Sequence, residues 1–247
     1  MLTVYDAAVA CNKIYSSDPT GGFQGIDAND GSRVREWTRV MRKRSVDDGE
    51  GKADAYWVYR KGDDVLFVIR GSDRGSDWTA NNARIGVNVT PVKATDAFKS
   101  FTLWAKAMQG PKCNYYITGH SLGGGLAQLI GYYTGTPFIA FNPPPMRNSL
   151  TGWLTMRPTG AKDPAVKSWE FDKGCVFRGS RDAVSSLPGK FIGKSWMLPI
   201  GGSVFQSGLG VVDGHSMTRI IEAIENNSVS GISKNAPLST YWGKAVD

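Results

Sequence analysis

The sequence predicts an α/β fold, a mainly parallel sheet with helices on both faces. Three observations carry this. Short apolar runs of strand length alternate along the 247 residues with longer segments of helical periodicity. Residues 65–69 (Val-Leu-Phe-Val-Ile) form a continuous apolar run, the mark of a strand buried on both faces. Residues 115–133 pass from a β-prone segment through a glycine-rich turn into helical spacing. With 41% hydrophobic residues the chain can bury one sizeable core, and no linker, repeat or low-complexity tract divides it. Residues 1–247 therefore read as a single domain.

The elements follow in order. Leu2 to Tyr15 reads as an amphipathic first helix. Trp37, Arg39, Met41 and Lys43 alternate with Thr38, Val40, Arg42 and Arg44, which predicts an exposed strand. Ala55–Arg60 and Val65–Arg70 flank Lys61-Gly62-Asp63-Asp64, a hairpin signal. Thr95 to Met108 has helical spacing through Phe98, Phe101, Trp104, Ala105 and Met108, and Gly110-Pro111 stops it. Tyr115 to Thr118 is a strand, and Leu122 to Tyr133 is a helix. Cys175 to Arg178 is a short buried strand. Met217, Ile220, Ile221 and Ile224 mark a late amphipathic helix, and residues 227–247 are polar and read as a surface wrap.

The chemistry concentrates at Gly119-His120-Ser121-Leu122-Gly123, which fits the G-x-S-x-G nucleophile elbow of α/β-hydrolases. The tight turn exposes the serine Oγ, the glycines let strand and helix approach, and the helix start aims backbone N–H groups at a developing oxyanion. The chain has only two histidines. His120 adjoins the serine at a sharp turn and points elsewhere, so it is a poor base. His215, in a turn before the late helix, is the remaining general base. The orienting carboxylate lies between serine and histidine in chain order. Asp182 leads, because it follows the C-terminal end of the strand at 175–178, where open parallel sheets gather their functional groups. Asp213 is second: it is two residues from His215, but Asp-Gly reads first as a turn. Asp172 precedes its strand, and Asp163 lies in a proline-flanked loop that no strand feeds.

The chain resembles the class 3 (fungal-type) lipases of the α/β-hydrolase superfamily over roughly residues 55–225. The resemblance rests on residues 65–72 (Val-Leu-Phe-Val-Ile-Arg-Gly-Ser), Asp77-Trp78 with Asn81 or Asn82, and residues 119–124. It continues through residues 141–143 (Phe-Asn-Pro), residues 181–184 with Leu187-Pro188, and residues 214–217 (Gly-His-Ser-Met). It implies Ser121 as nucleophile, Asp182 as acid and His215 as base, with the Ser72 and Leu122 N–H groups forming the oxyanion hole. It also implies that the loop after Ser72, carrying Trp78, acts as a lid. The residues alone leave the strand-end turn at Arg70-Gly71-Ser72 open between an oxyanion role and an ordinary loop.

Composition narrows the partners. The net charge is +7, densest at Arg33, Arg35, Arg39, Arg42, Lys43 and Arg44. Acidic residues at once follow (Asp47, Asp48, Glu50), so a solvated face is the first reading, with attraction to an anionic lipid or emulsion surface second. No stacking platform or groove-reading helix supports nucleic-acid binding. No metal or cofactor site is read, since both histidines are committed and no dinucleotide fingerprint follows a strand. No apolar run approaches a membrane span. The N-terminus lacks a basic segment and an uninterrupted apolar stretch, so no signal peptide is read, which leaves cytoplasm, non-classical export or a mature secreted form open. Cysteines 11, 113 and 175 form no paired framework; a bridge between two of them stays open, but reduced thiols are the simpler reading, unlike the disulfide-bearing secreted members of the resembled family.

The expected activity is hydrolysis of a lipid ester without cofactor. Triacylglycerol lipase leads, with phospholipase A1 and short-chain or feruloyl-type esterase as alternatives, and a catalytically silent binding module as the reading from another class. The segment 73–85 is polar apart from Trp78 and Ile85, unlike a lid that opens onto fat. Residues 187–212 carry Phe191, Ile192, Trp196, Met197, Leu198 and Phe205, and either line a pocket or cover the core.

Overall fold

The computed structural model describes residues 1–16, 22–27, 31–44, 54–71, 91–107, 113–147, 171–200, 214–226 and 232–242. Its strands are β1 (Phe23–Ile26), β2 (Arg33–Arg44), β3 (Asp54–Lys61), β4 (Asp64–Ile69), β5 (Asn114–His120), β6 (Phe138–Phe141), β7 (Gly174–Gly179) and β8 (Lys194–Leu198). The helices are α1 (Val4–Lys13), α2 (Pro91–Ala107), α3 (Leu122–Thr134) and α4 (Met217–Glu225), with a single 3-10 turn at Leu238–Tyr241. All eight strands join one sheet in chain order, β1 to β8. The first four pair antiparallel, and β4 to β8 pair parallel. This is the mostly parallel sheet with helices on both faces that the alternation of elements predicts.

Side chains of a strand point alternately to the two faces, and each face here has its own core. Trp57 and Tyr59 of β3, Leu66 and Val68 of β4, and Phe141 and Phe177 pack with α1 and α4. Tyr56, Val58, Val65, Phe67, Ile69 and Ile117 pack with α2 and α3. Strand β4 is buried at every position, as a continuous apolar run requires. The β3–β4 hairpin turns where expected, with Gly62 at φ 61. Helix α1 starts on Thr3, whose side chain accepts from the Asp6 N–H. Asp6 is itself fully buried and ties the helix to the sheet: its carboxylate accepts from Lys61 Nζ at 2.7 Å, Trp37 Nε1 at 2.8 Å and the Ile26 N–H at 3.1 Å.

Several expectations need correcting. Trp37, paired with Phe23 of β1, is completely buried, so β2 is not exposed along its whole length, while Val40 and Met41 are exposed. Helix α2 starts at Pro91, earlier than the apolar spacing shows, because proline is well suited to a first helical turn. Residues 194–198 form β8, with Trp196 and Leu198 in the core, so this part of the 187–212 stretch covers the core. The tail is not simply a surface wrap: Ile232, Leu238 and Tyr241 are buried against the α1 face, and the Leu238 N–H donates to the Leu2 carbonyl at 3.0 Å. All three cysteines are free thiols; burial pushes Cys11 and Cys175 up to about 12.

Candidate active site

The parallel strands present their C-terminal ends along one edge, the usual place for chemistry in such sheets. Parallel pairing sets Ile69 beside Gly119, His120 beside Phe141, and Phe141 beside Phe177. Between the end of β5 at His120 and the start of α3 at Leu122 lies a single residue, Ser121. It has φ 58 and ψ −130, a conformation rare for a residue with a side chain and held only where surrounding structure enforces it. The enforcement comes from packing. A Cβ on Gly123 would overlap the Ile69 carbonyl oxygen, and one on Gly119 would overlap the Gly123 carbonyl group. With hydrogen at both positions, α3 lies directly on β4 and β5. Helix geometry leaves the Leu122 N–H without an intrahelical acceptor at this turn.

Asp182 and His215 meet at the same edge. The Asp182 N–H donates to the Gly179 carbonyl at 3.2 Å, turning the chain just past β7. Its carboxylate is fully buried and accepts from the Val184 N–H at 3.2 Å, the Ser185 N–H at 2.8 Å and His215 Nδ1 at 2.7 Å. Two backbone donors thus fix the orientation of the carboxylate before the imidazole arrives. The loop preceding α4 reaches it because Gly214 is bare: a Cβ there would stand 2.5 Å from the Arg181 carbonyl oxygen. Asn142, next after β6 and at φ 45, is buried and bridges the two strands of chain; it donates to the Gly214 carbonyl at 2.9 Å and accepts from the Gly179 N–H at 2.7 Å. The Phe141-Asn-Pro143 segment shows nothing of this task in sequence, because both partners of the asparagine are main-chain groups far along the chain.

His120 does not serve the serine, as the elbow geometry predicts. Its Nε2 donates to the His215 carbonyl at 2.7 Å, and its Nδ1 faces Tyr15 Oη at 3.4 Å. Burial above all, and then the nearness of His215, hold its pKa well below the ordinary histidine value; the hydrogen bond to the His215 backbone opposes this in part. The two imidazole rings stand 4.6 Å apart, centre to centre. Ser121 Oγ is buried and makes no hydrogen bond among the described residues, so the serine–histidine contact is not closed in this structure. Such contacts are often loose until substrate binds.

The structure therefore brings Asp182 and His215 together and sets them beside the elbow through His120. Asp172 lies before β7, at the opposite end from Asp182. Ser72, Trp78, Asp163, Phe205 and Asp213 lie outside the described residues. Gly71, the last described residue after β4, packs against the elbow: a Cβ there would lie 3.1 Å from Ser121 Cβ. Among the described residues no group of three or more His, Cys, Asp or Glu side chains could hold a metal ion, and no helix is long and apolar enough to cross a membrane.

A phospholipase-like family model, the Tle-like phospholipase domain, matches residues 6–172. No curated protein matches the chain. Among solved structures, the native Rhizomucor miehei lipase propeptide complex is 15% identical, covers 94% of this chain and 80% of its own, and superposes with a TM-score of 0.46. The lipase from Rhizopus microsporus var. chinensis is 15% identical over 81% of this chain and 76% of its own, with a TM-score of 0.40. Esterase B from Lactobacillus rhamnosis is 14% identical over 78% and 88%, with a TM-score of 0.32.

Proposed function

The chain belongs to the Tle-like phospholipase domain family, a family of lipid-ester hydrolases, and from that premise we propose that it is a serine hydrolase cleaving acyl esters of glycerophospholipids. The observation that carries the mechanism is the 2.7 Å contact of His215 Nδ1 with buried Asp182, at the sheet edge that also holds the strained Ser121. Family membership supports phospholipid over the triacylglycerol that led from the motifs.

Ser121 Oγ attacks the acyl carbonyl while His215 Nε2 takes its proton. Asp182 keeps the other ring nitrogen as donor and stabilises the imidazolium. The oxyanion is held by the Leu122 N–H and by the Ser72 N–H. His215 returns its proton to the departing lysophospholipid alkoxide. Water, deprotonated by His215, then releases the fatty acid from Ser121.

A fluorophosphonate probe should label the wild type and not Ser121→Ala, and that variant should lose on the order of 10⁴–10⁶ in kcat. A variant that keeps more than a tenth of wild-type turnover ends the assignment. Fatty-acid release from phospholipid vesicles and from a triacylglycerol emulsion, measured side by side, tests the substrate. Faster turnover of the emulsion would return triacylglycerol to first place.

A further inference from the structure

His120 takes no part in the proposed proton transfers, yet it sits at the junction of four segments. A carbonyl oxygen only accepts, so the 2.7 Å contact with the His215 carbonyl puts the ring hydrogen on Nε2. The ring is neutral, for burial and His215 both disfavour its charge. Its Nδ1 is then an acceptor, and the Tyr15 O–H facing it at 3.4 Å is the donor. Tyr15 Oη in turn accepts from the Gly71 N–H at 2.8 Å. Every hydrogen in this chain has one direction: Gly71 to Tyr15, Tyr15 to His120, His120 to the backbone of His215. The chain joins the exit of β4, the residues after α1, the elbow and the histidine loop. It is tightly packed at its origin, where a Cβ on Gly71 would stand 2.7 Å from both the His120 carbonyl oxygen and Tyr15 Oη.

We propose that His120 is a positioning residue: as a neutral Nε2–H imidazole, oriented by Tyr15, it holds the main chain of His215 in register with the elbow. The inference rests on the Ser121–His215–Asp182 reading. Asp182 fixes the His215 ring at one nitrogen, which leaves the ring free to swing about that contact. A second grip on the carbonyl of the same residue removes that freedom. Neutrality is part of the design. A charged His120 would place a cation 4.6 Å from the ring that must itself become an imidazolium, and would turn Nδ1 from acceptor to donor toward Tyr15.

The test uses the full chain with three variants: His120→Leu, His120→Gln and Tyr15→Phe. Glutamine places an amide donor where Nε2 stands, and leucine places none. Melting temperature, fluorophosphonate labelling and steady-state hydrolysis of a soluble p-nitrophenyl ester are measured on each. His120→Leu should lower kcat by about 10–100-fold with KM little changed, because a small displacement of a proton-transfer group acts on the chemical step. His120→Gln should recover turnover to within about threefold of wild type. Tyr15→Phe should lower kcat in the same direction by a smaller factor, and it decides the matter if His120→Leu does not fold. A folded His120→Leu with wild-type kcat overturns the brace, as does a glutamine variant no better than leucine. Wild type that resists the fluorophosphonate overturns the triad reading first, and the brace with it.

Discussion

At the scale of single residues, the site depends on donors that are committed before substrate arrives. Asp182 accepts three N–H groups, two of them from its own loop. Asparagine at 182 must turn an NH2 group toward one of those donors and cannot stabilise the imidazolium. Asp182→Asn should therefore lower kcat by roughly 10²–10⁴ and also reduce the melting temperature, whereas Asp213→Asn should change rate less than tenfold. A reversed pair of results would make Asp213 the acid. His120 supplies a second residue-scale expectation. Its folded pKa is depressed from about 6.5. Below that value the unfolded chain binds a proton that the folded chain refuses, so stability rises with pH across the window between the two pKa values. This contribution is complete above about pH 6.5 and is lost as the pH falls toward the folded value. The melting temperature should drop between pH 7 and pH 5, and drop less in His120→Gln; equal drops would show that His120 does not titrate on unfolding. Ser121, Asp182 and His215, the residues of the proposed triad, are picked out in the sequence by a motif, a histidine count and chain order, and the structure pairs the last two. Asn142, Tyr15 and the task of His120 are not legible there. They act on main-chain groups, and the Tyr15–His120 partners stand 105 residues apart in sequence.

At the scale of elements, the two ends of α3 make a contrast. Its N-terminal glycines are required by contact, since a Cβ on Gly123 meets the main chain of β4. Its C-terminal Gly135 has φ 69 and nothing within 4 Å of where a Cβ would be. Gly135→Ala should cost only the strain of a left-handed residue, about 1–2 kcal/mol in thermal or urea unfolding. Gly123→Ala should cost at least the upper end of the ~1–3 kcal/mol usual for overpacking, and should lose activity out of proportion to stability. Equal penalties would mean that α3 can lift from the sheet without consequence. Elements buried on both faces were legible, because an unbroken apolar run has one reading. The strands β1 and β8 were not. β1 has four residues and an irregular register at Gln24/Gly25, and β8 opens on Lys194 and Ser195 with only Trp196 and Leu198 buried. Their strand character comes from the neighbour they pair with, which local pattern does not contain.

At the scale of the whole molecule, the mostly parallel sheet with its two cores follows from the alternation of elements, and the net charge of +7 follows from composition. The charge has a place in the fold. β1 covers only the Arg33–Trp37 part of β2, and the following half carries Arg39, Arg42 and Lys43 around exposed Val40 and Met41. Register sets Lys43 beside Tyr56 and Tyr56 beside Ile69, so this basic stretch ends level with the sheet edge that holds Ser121 and the Asp182–His215 pair. Sedimentation with vesicles should show tighter binding to anionic than to zwitterionic phospholipid. The preference should fade as salt shortens the screening length from ~10 Å at 0.1 M to ~3 Å at 1 M. Binding indifferent to salt would remove electrostatics from the account.

The strict chain order of the sheet also bears on how the enzyme is born. Each strand adds to a neighbour that the ribosome has already released, so the sheet can grow from one side without waiting for distant partners. The serine elbow is complete once α3 and the strands beside it have formed, but His215 comes only on the loop before α4, a helix that docks on α1. On the proposed mechanism, a nascent chain stalled between α3 and His215 carries the nucleophile without its base. Hydrolysis by the proposed mechanism is therefore withheld until the histidine loop has been made.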